Sequence, residues 1–364
     1  MTSKLVRENL RDRPLRTLLS VMLVGVPVAL VLCLVGLSRG MLDETARRAR
    51  GIGADIVVRP PGSSVLSVTG APLSDRLVNR VEREPHVVQA MGSLNFSMSG
   101  FTFVAGVNVD EFNRMNGGFK FLEGASFRRP DDILIDGFYA RQNNLRTGGK
   151  LRLLNHDWHV AGVVEPGKLS HLILPLNVLQ DLTGDPGRVS QIFVKLDDPA
   201  RAPEVMDALR RLLPGYPIYS MAEFTSLFTV DNVPGLQAFI DVLAAVGVVI
   251  GFTVIWLSMH MAVSHRTHEI GILKSLGASQ WYIVKVIIAE AMVMGAAGIV
   301  VGIALSYLAR WLIHVLVPAS LTMSIVVEWW PIVAIITLLG VLLGAVSPGV
   351  GAARQDAVAA LSYE

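Results

Sequence analysis

Four apolar runs stand out along this chain, each close to the ~20 residues a helix needs to cross a bilayer core. They cover residues 17–38, 238–263, 283–309 and 329–353. The first is uncharged between Arg16 and Arg39, and the last lies between Glu328 and Arg354. A signal-peptide core is shorter, about 7–15 residues, so the first run is expected to be an uncleaved span. A lipobox at Cys33 is excluded because Leu32 precedes it where a small residue is needed. The pattern predicts a membrane α-helical protein with four transmembrane helices, one before and three after a long insert. The remaining segments are an N-terminal stretch (1–16), a connecting loop (264–282), an outer loop (310–328) and a tail (354–364).

The insert, residues 39–237, changes period from helical to alternating and back. It is expected to be an extracytoplasmic α+β domain. Ala54–Arg59, Val87–Met98, Phe101–Val107, Gln191–Leu196 and Tyr216–Ser220 read as strands. Leu73–Arg83 and Ala202–Leu213 read as helices. These predict a split β-α-β lobe from 50–111 and 189–230. Between them, 112–188 reads as an inserted β-rich lobe. Its short strands, Asp132–Ile135, Lys150–Leu154, Trp158–Val164 and Leu172–Leu174, are separated by Gly, Asn and Pro, and Tyr139–Asn144 is a short helix.

Lysine and arginine near the span ends set the orientation. Lys4, Arg7, Arg11, Arg13 and Arg16 precede span one; Arg266, Lys274 and Lys285 lie between spans two and three; Arg354 follows span four. Both termini are therefore expected in the cytoplasm of a bacterial inner (cell) membrane. Trp311, Trp329 and Trp330 fall in the outer aromatic belt, and Trp281 and Tyr282 in the inner one. Each of the last three spans carries a Gly-x-x-x-Gly pair: Gly247/Gly251, Gly298/Gly302 and Gly340/Gly344. Such pairs let helix backbones approach closely in lipid, within a bundle or across a dimer. Glu290, one turn into span three, is expected to have a structural or coupling role near the cytoplasmic end, where water or Lys285 can reach it. Asp241 is interfacial and His260 a packed polar contact.

Composition narrows the chemistry. Of 364 residues only 17% are charged, against about 25% in soluble domains, and the net charge of +2 gives no basic stripe for nucleic acid. One cysteine excludes an internal disulfide framework. The segment Gly162 to Leu169 nearly matches a phosphate-binding loop, but Leu169 stands where a magnesium-holding hydroxyl is required. His156 and His159 make a weak metal signal and read as surface residues. No local arrangement marks a nucleophile, a metal site or a catalytic group. ATP hydrolysis, if the chain depends on it, must come from another chain.

The loop between spans two and three reads R-T-H-E-I-G-I-L-K-S-L-G-A from Arg266 to Ala278. Glu269 to Leu276 can form a short helix stopped by Gly277, with Ile270, Leu273 and Leu276 on an apolar face and Glu269 and Lys274 on a polar one. It is a membrane-surface element or a knob for a partner. This run resembles the coupling segment of MacB/LolC/FtsX-type ABC transporter permeases, the mechanotransmission class. The resemblance continues in Ile288–Ala291, in Ser347-Pro348 with Ala352-Ala353-Arg354 and Asp356, and in Arg13–Ser20, which is similar to the family's amphipathic entry helix and implies one over 1–16. It departs where histidines flank Arg266 and where Ala357 replaces a proline.

The resemblance implies a non-catalytic permease subunit split from its ATPase. A cytoplasmic ABC ATPase would bind the ATP and magnesium, and no cofactor would sit on this chain. Arg266, Glu269, Ile270, Gly271, Leu273, Lys274, Leu276, Gly277 and Ala278 would dock that ATPase. A second permease copy or homologue would complete a dimer in the lipid, with a periplasmic adaptor or substrate-binding protein as a further partner. Two functions are then open: export or extraction of a hydrophobic or amphipathic substrate such as a lipoprotein, or an FtsX-like relay activating an external partner without transport. A membrane-anchored scaffold without an ATPase is the third.

Overall fold

The computed structural model describes residues 14–63, 73–98, 103–233, 235–265, 267–316 and 322–354. The elements in chain order are α1 (Pro14–Arg50), β1 (Ile56–Val58), β2 (Leu73–Ser74), α2 (Arg76–Val81), β3 (Val87–Ser97), β4 (Phe103–Val107), α3 (Val109–Asn116) and β5 (Phe121–Gly124). Next come β6 (Asp132–Asp136), α4 (Gly137–Gln142), β7 (Lys150–Leu153), β8 (His156–Val164), β9 (Leu172–Pro175), α5 (Leu176–Thr183), β10 (Arg188–Val189) and β11 (Gln191–Leu196). The chain continues with α6 (Ala202–Leu212), β12 (Ile218–Ser220), α7 (Met221–Ser226), α8 (Leu236–His265), α9 (Thr267–Ser275), α10 (Gln280–Leu316) and α11 (Trp329–Arg354). Four of these, α1, α8, α10 and α11, are long and apolar enough to cross a membrane. Two compact units result: a helical one containing 1–38, 235–315 and 323–364, and an α+β one containing 39–234 and 316–322.

The α+β unit is built on one ten-stranded sheet in the order β12-β1-β11-β3-β4-β9-β6-β8-β5, with β7 paired on β8. Neighbours are antiparallel except β4/β9 and β6/β8. The expected division into a split lobe and a separately built β-rich lobe is therefore corrected. The β4/β9 pairing, Val104 opposite Leu172, joins both parts into a single sheet. The cause is visible in the alternation of side chains, which point to opposite faces along a strand. Val57, Phe193, Met91, Val107, Ile173, Leu134 and Val164 all fall in one buried cluster, which runs across both parts. Their strand neighbours face the other way, Ile56, Val58, Ile192 and Val194 under α2 and α6, and Ile133, Ile135, Leu172 and Leu174 under α4 and α5.

Local chemistry explains the element ends. The helix expected over Leu73–Arg83 begins only at Arg76, because Leu73 and Ser74 pair as strand with Val189 and Arg188. The β7–β8 hairpin turns on Leu154 and Asn155, both with positive φ (51° and 57°), as a two-residue type I′ loop requires. Two helices in the middle of the domain went unrecognised in the sequence, α3 and α5, as did α7 after β12. Asn108 caps α3, its side chain accepting from Asp110 N at 3.0 Å, and both helices end on glycine in the left-handed region, Gly117 and Gly184.

In the helical unit, glycines set which helices meet. A Cβ on Gly298 would stand 2.7 Å from Val24, and one on Gly302 2.7 Å from the Gly25 carbonyl oxygen, so this pair packs α10 on α1. A Cβ on Gly344 would stand 2.7 Å from the Phe252 carbonyl oxygen, and Gly340 faces Val248, so that pair packs α11 on α8. Gly247 meets only Pro27 at 3.4 Å, and Gly251 meets nothing within 4 Å. Ser20 and Ser258 hydroxyls join at 2.9 Å inside the bundle.

Gly302→Val is expected to destabilise the full chain by about 1–3 kcal/mol through overpacking, and Gly251→Ala to leave it unchanged within about 0.5 kcal/mol. Detergent-solubilised unfolding midpoints check the pair; equal losses at both positions would contradict the assigned contacts.

Candidate functional site

The loop between α8 and α10 is occupied by α9, nine residues long. Its stop is Gly277, whose φ of 91° is open to glycine and strained for other residues. Gly277 N donates to the Lys274 carbonyl at 3.0 Å, and Ser279 Oγ accepts from Tyr282 N at 3.2 Å to start α10. Ile270 is buried in the cluster formed by Ile255, Met259, Ile283, Ile287 and Ala345. Gly271 is buried beside it. Ile272 (42% exposed), Leu276 (79%) and Trp281 (73%) face outward instead. The expected apolar stripe of Ile270, Leu273 and Leu276 is thus corrected: Ile270 fixes α9 to the bundle while Leu276 projects away from it. Lys274 and Ala278 are half-buried. Arg266 and the side chains of Glu269 and Leu273 lie outside the described structure, as do residues 1–13 and 355–364. Ile272 was not singled out in the sequence, because a heptad-like spacing from Ile270 passes over it.

Glu290 is 6% exposed and surrounded by the same apolar cluster, with Ile287, Ala291 and Met294 on its own helix. At that exposure the carboxyl is shielded from bulk water, which corrects the expected water access, and Lys285 is itself exposed. Asp241 is exposed and accepts from Gln237 Nε2 at 3.0 Å. His260 is exposed and stacks on Trp256 at 5.8 Å between ring centroids.

The phosphate-loop look-alike is not a loop at its start: Gly162 lies within β8. Lys168 Nζ donates to the Gly118 carbonyl at 2.8 Å and lies over the Phe112 ring. His159 Nδ1 is 3.0 Å from Asp132 Oδ1, whereas His156 packs on Trp158. The two histidines therefore point to separate partners. Among the described residues no group of three or more His, Cys, Asp or Glu is placed to hold a metal ion.

The sequence did not reveal a buried ionic cluster in the α+β unit. Arg48, near the end of α1, places Nη2 2.9 Å from Asp136 Oδ2 and Nε 2.9 Å from Glu44 Oε1. His171 Nδ1 donates to the same Asp136 oxygen at 2.7 Å. Asp136 Oδ1 accepts from Tyr139 N at 2.9 Å and so caps α4. The side chains of Arg48 and Asp136 are 8% and 1% exposed. Burial pushes the Asp136 carboxyl up, but the His171 hydrogen bond and the Arg48 charge outweigh it and hold it below the ordinary carboxylate range. One signal was local: Glu44 and Arg48 are four apart on a helix, the spacing of an ion pair. Asp136 and His171 are distant in sequence and carried none.

A depressed carboxylate stabilises the fold fully above its unfolded value near 4, and that contribution is lost as pH falls through the folded value. Asp136→Asn is expected to cost roughly 2–4 kcal/mol at pH 7, because buried Arg48 keeps only Glu44 as a counter-charge. The loss should shrink as pH drops below about 4. Denaturant titrations of the full chain at pH 7 and pH 3.5 check both the size and the sign.

Two family models account for nearly the whole described chain. MacB-like periplasmic core domain matches residues 17–212, more than half of the sequence, and FtsX-like permease C-terminal matches residues 242–354. The macrolide export ATP-binding/permease protein MacB of Escherichia coli is 24% identical over 392 aligned residues, covering 98% of this chain and 59% of that protein. An uncharacterized ABC transporter permease of Methanocaldococcus jannaschii is 25% identical over 246 residues, 63% of this chain and 61% of that protein. The chain thus spans about three fifths of the length of these relatives. The periplasmic region of MacB from Actinobacillus actinomycetemcomitans superposes with a TM-score of 0.38 at 18% identity, over 51% of this chain and 97% of that one. The extracellular domain of YknZ gives 0.36 at 16% identity, over 46% and 98%. With a periplasmic-type core domain inserted after one span and an FtsX-like bundle following it, the chain belongs to the MacB/FtsX-type ABC transporter permeases.

Proposed function

We propose that this chain is the permease subunit of an ABC transporter in a bacterial cell membrane, in which ATP hydrolysis on a separate ATPase subunit moves the inserted α+β domain. The observation that carries this reading is α9. A nine-residue helix lies between two spans, is anchored by Ile270, and ends at Gly277 with Ile272, Leu276 and Trp281 projecting outward. Isolated helices this short do not persist in water. Exposed large apolar residues beside a sharp glycine stop are what a groove on a partner protein would receive.

The positive charge of Lys274 and Lys285 near this loop favours a cytoplasmic position, and so supports an α+β domain outside and both termini inside. ATP and magnesium then belong to the partner, and this chain is non-catalytic. Helix α8, the least buried of the four spans with 17% of its most apolar stretch covered, suits a second copy or a homologue in a dimer. Mechanical work on the outer side suits extraction or export of a hydrophobic or amphipathic molecule, handed on to a periplasmic adaptor. The MacB relatives carry macrolide export in their names, which supports that chemical class for the substrate.

The test is copurification of the tagged chain with its ATPase from the native membrane, followed by ATPase assays in nanodiscs. Leu276→Asp or Gly271→Trp is expected to reduce ATPase recovery at least tenfold, while a change at exposed Val300 leaves it unaltered. Recovery of the ATPase undiminished by both loop variants would sink the docking assignment. Stimulation by an external protein partner, but by no amphiphile, would favour a signal relay over transport.

A further inference from the structure

We propose that the Arg48–Asp136–His171 cluster is the joint through which displacement of α1 is passed to the α+β domain, making Arg48 a positioning residue for that movement. This rests on the ATP-driven coupling proposed above. It goes beyond it by naming where in the domain the movement is received.

The last turns of α1 belong to the α+β unit from Arg39 onward. Their apolar contacts with the sheet come from Leu42, Ala46 and Ala49. Apolar burial is non-directional. These contacts hold the helix against the sheet without setting the direction in which a displacement is passed on. Hydrogen bonds differ, because they weaken steeply with distance and angle. Arg48 supplies the directional contact. Its partner Asp136 closes β6, and His171 immediately precedes β9. These two strands pair with each other, Leu134 opposite Ile173. A pull on Arg48 therefore acts on two adjacent central strands and, through the Asp136 cap, on α4.

The segment that resembled a phosphate loop forms the seat of the same joint. A Cβ on Gly51, just after α1, would collide with the Gly167 carbonyl oxygen, so the helix end rests directly on that backbone. Asn116 Nδ2 donates to the Gly51 carbonyl oxygen, and Lys168 ties the next residue to Gly118. The close approach at Gly51 and Gly167 and the ion pair at Arg48 hold the helix end from two sides. Arg48 Nη1 is buried with no hydrogen-bond partner among the described residues. Buried donors are almost always paired. A guanidinium with a spare donor can exchange partners without a net loss of bonds, as an element with two arrangements requires.

The experiment uses the full chain with its copurified ATPase in nanodiscs, on a Cys33→Ser background. Spin labels at Leu308 in α10 and Glu123 in β5, both exposed, report the distance between membrane helix and domain with and without ATP plus vanadate. In the parent protein the distance shifts with nucleotide. In Arg48→Met the shift falls to less than half while ATP hydrolysis and the amide protection of β3 and β11 persist. Arg48→Lys, which keeps a cation on Asp136, restores part of it. A full shift in Arg48→Met overturns the joint, and so does loss of β3 and β11 protection, which would make the cluster a folding element only. No shift in the parent protein, with ATPase bound and active, removes the coupling itself and the joint with it.

Discussion

One face of a ten-stranded sheet has to be covered, and the end of a membrane helix covers it. The cluster on that face spans seven strands and takes Leu42, Ala46, Ala49 and Ile52 from α1 and the following turn, together with Phe112 and Met115 from α3. Without those residues the alternating apolar positions of β1, β11, β3, β4, β9, β6 and β8 would face water. A transmembrane segment must satisfy its backbone polar groups internally, which fixes α1 as helix through lipid. The sheet gives it reason to continue for twelve residues past Ser38. Apolar burial then supplies adhesion, and Arg48 between Glu44, Asp136 and His171 supplies direction.

The helical unit follows a different rule. Between helices in lipid there is little hydrophobic driving force, so packing depends on how closely backbones approach. Gly25, Gly298 and Gly302 bring α1 and α10 together, and Gly340 and Gly344 bring α11 onto α8. Helix α8 is left the most exposed, with 17% of its most apolar stretch buried against 56% for α1. That asymmetry leaves α8 as the span with most surface available to lipid or another chain. Glu290 sits inside the unit's core on α10, at 6% exposure, where a carboxylate shapes packing more than it meets solvent.

Much of this was legible because its causes are local. Span lengths, the Gly277 stop and the strands Gln191–Leu196 and Val87–Ser97 all follow from short-range periodicity and turn chemistry. The joining of two lobes into one sheet was hidden, because the β4/β9 pair brings Val104 to Leu172, strands far apart in the chain. The Arg48 cluster was hidden for the same reason, since its members lie on α1, β6 and the segment before β9. The α9 surface was half legible. Spacing located the helix, but only the bundle decides that Ile270 points in and Leu276 out. The family was readable from short motifs in the loop and the C-terminal span, because those motifs are local in the chain.

Amide hydrogen exchange on the full chain in lipid nanodiscs is the most direct measurement of how α1 is shared between membrane and domain. If the last twelve residues of α1 are part of the domain core, amides 39–50 exchange as slowly as those of β3 and β11. Exchange of 39–50 at the rate of exposed loops, with β3 and β11 still protected, would show a helix end that merely leads into the domain and transmits nothing to it.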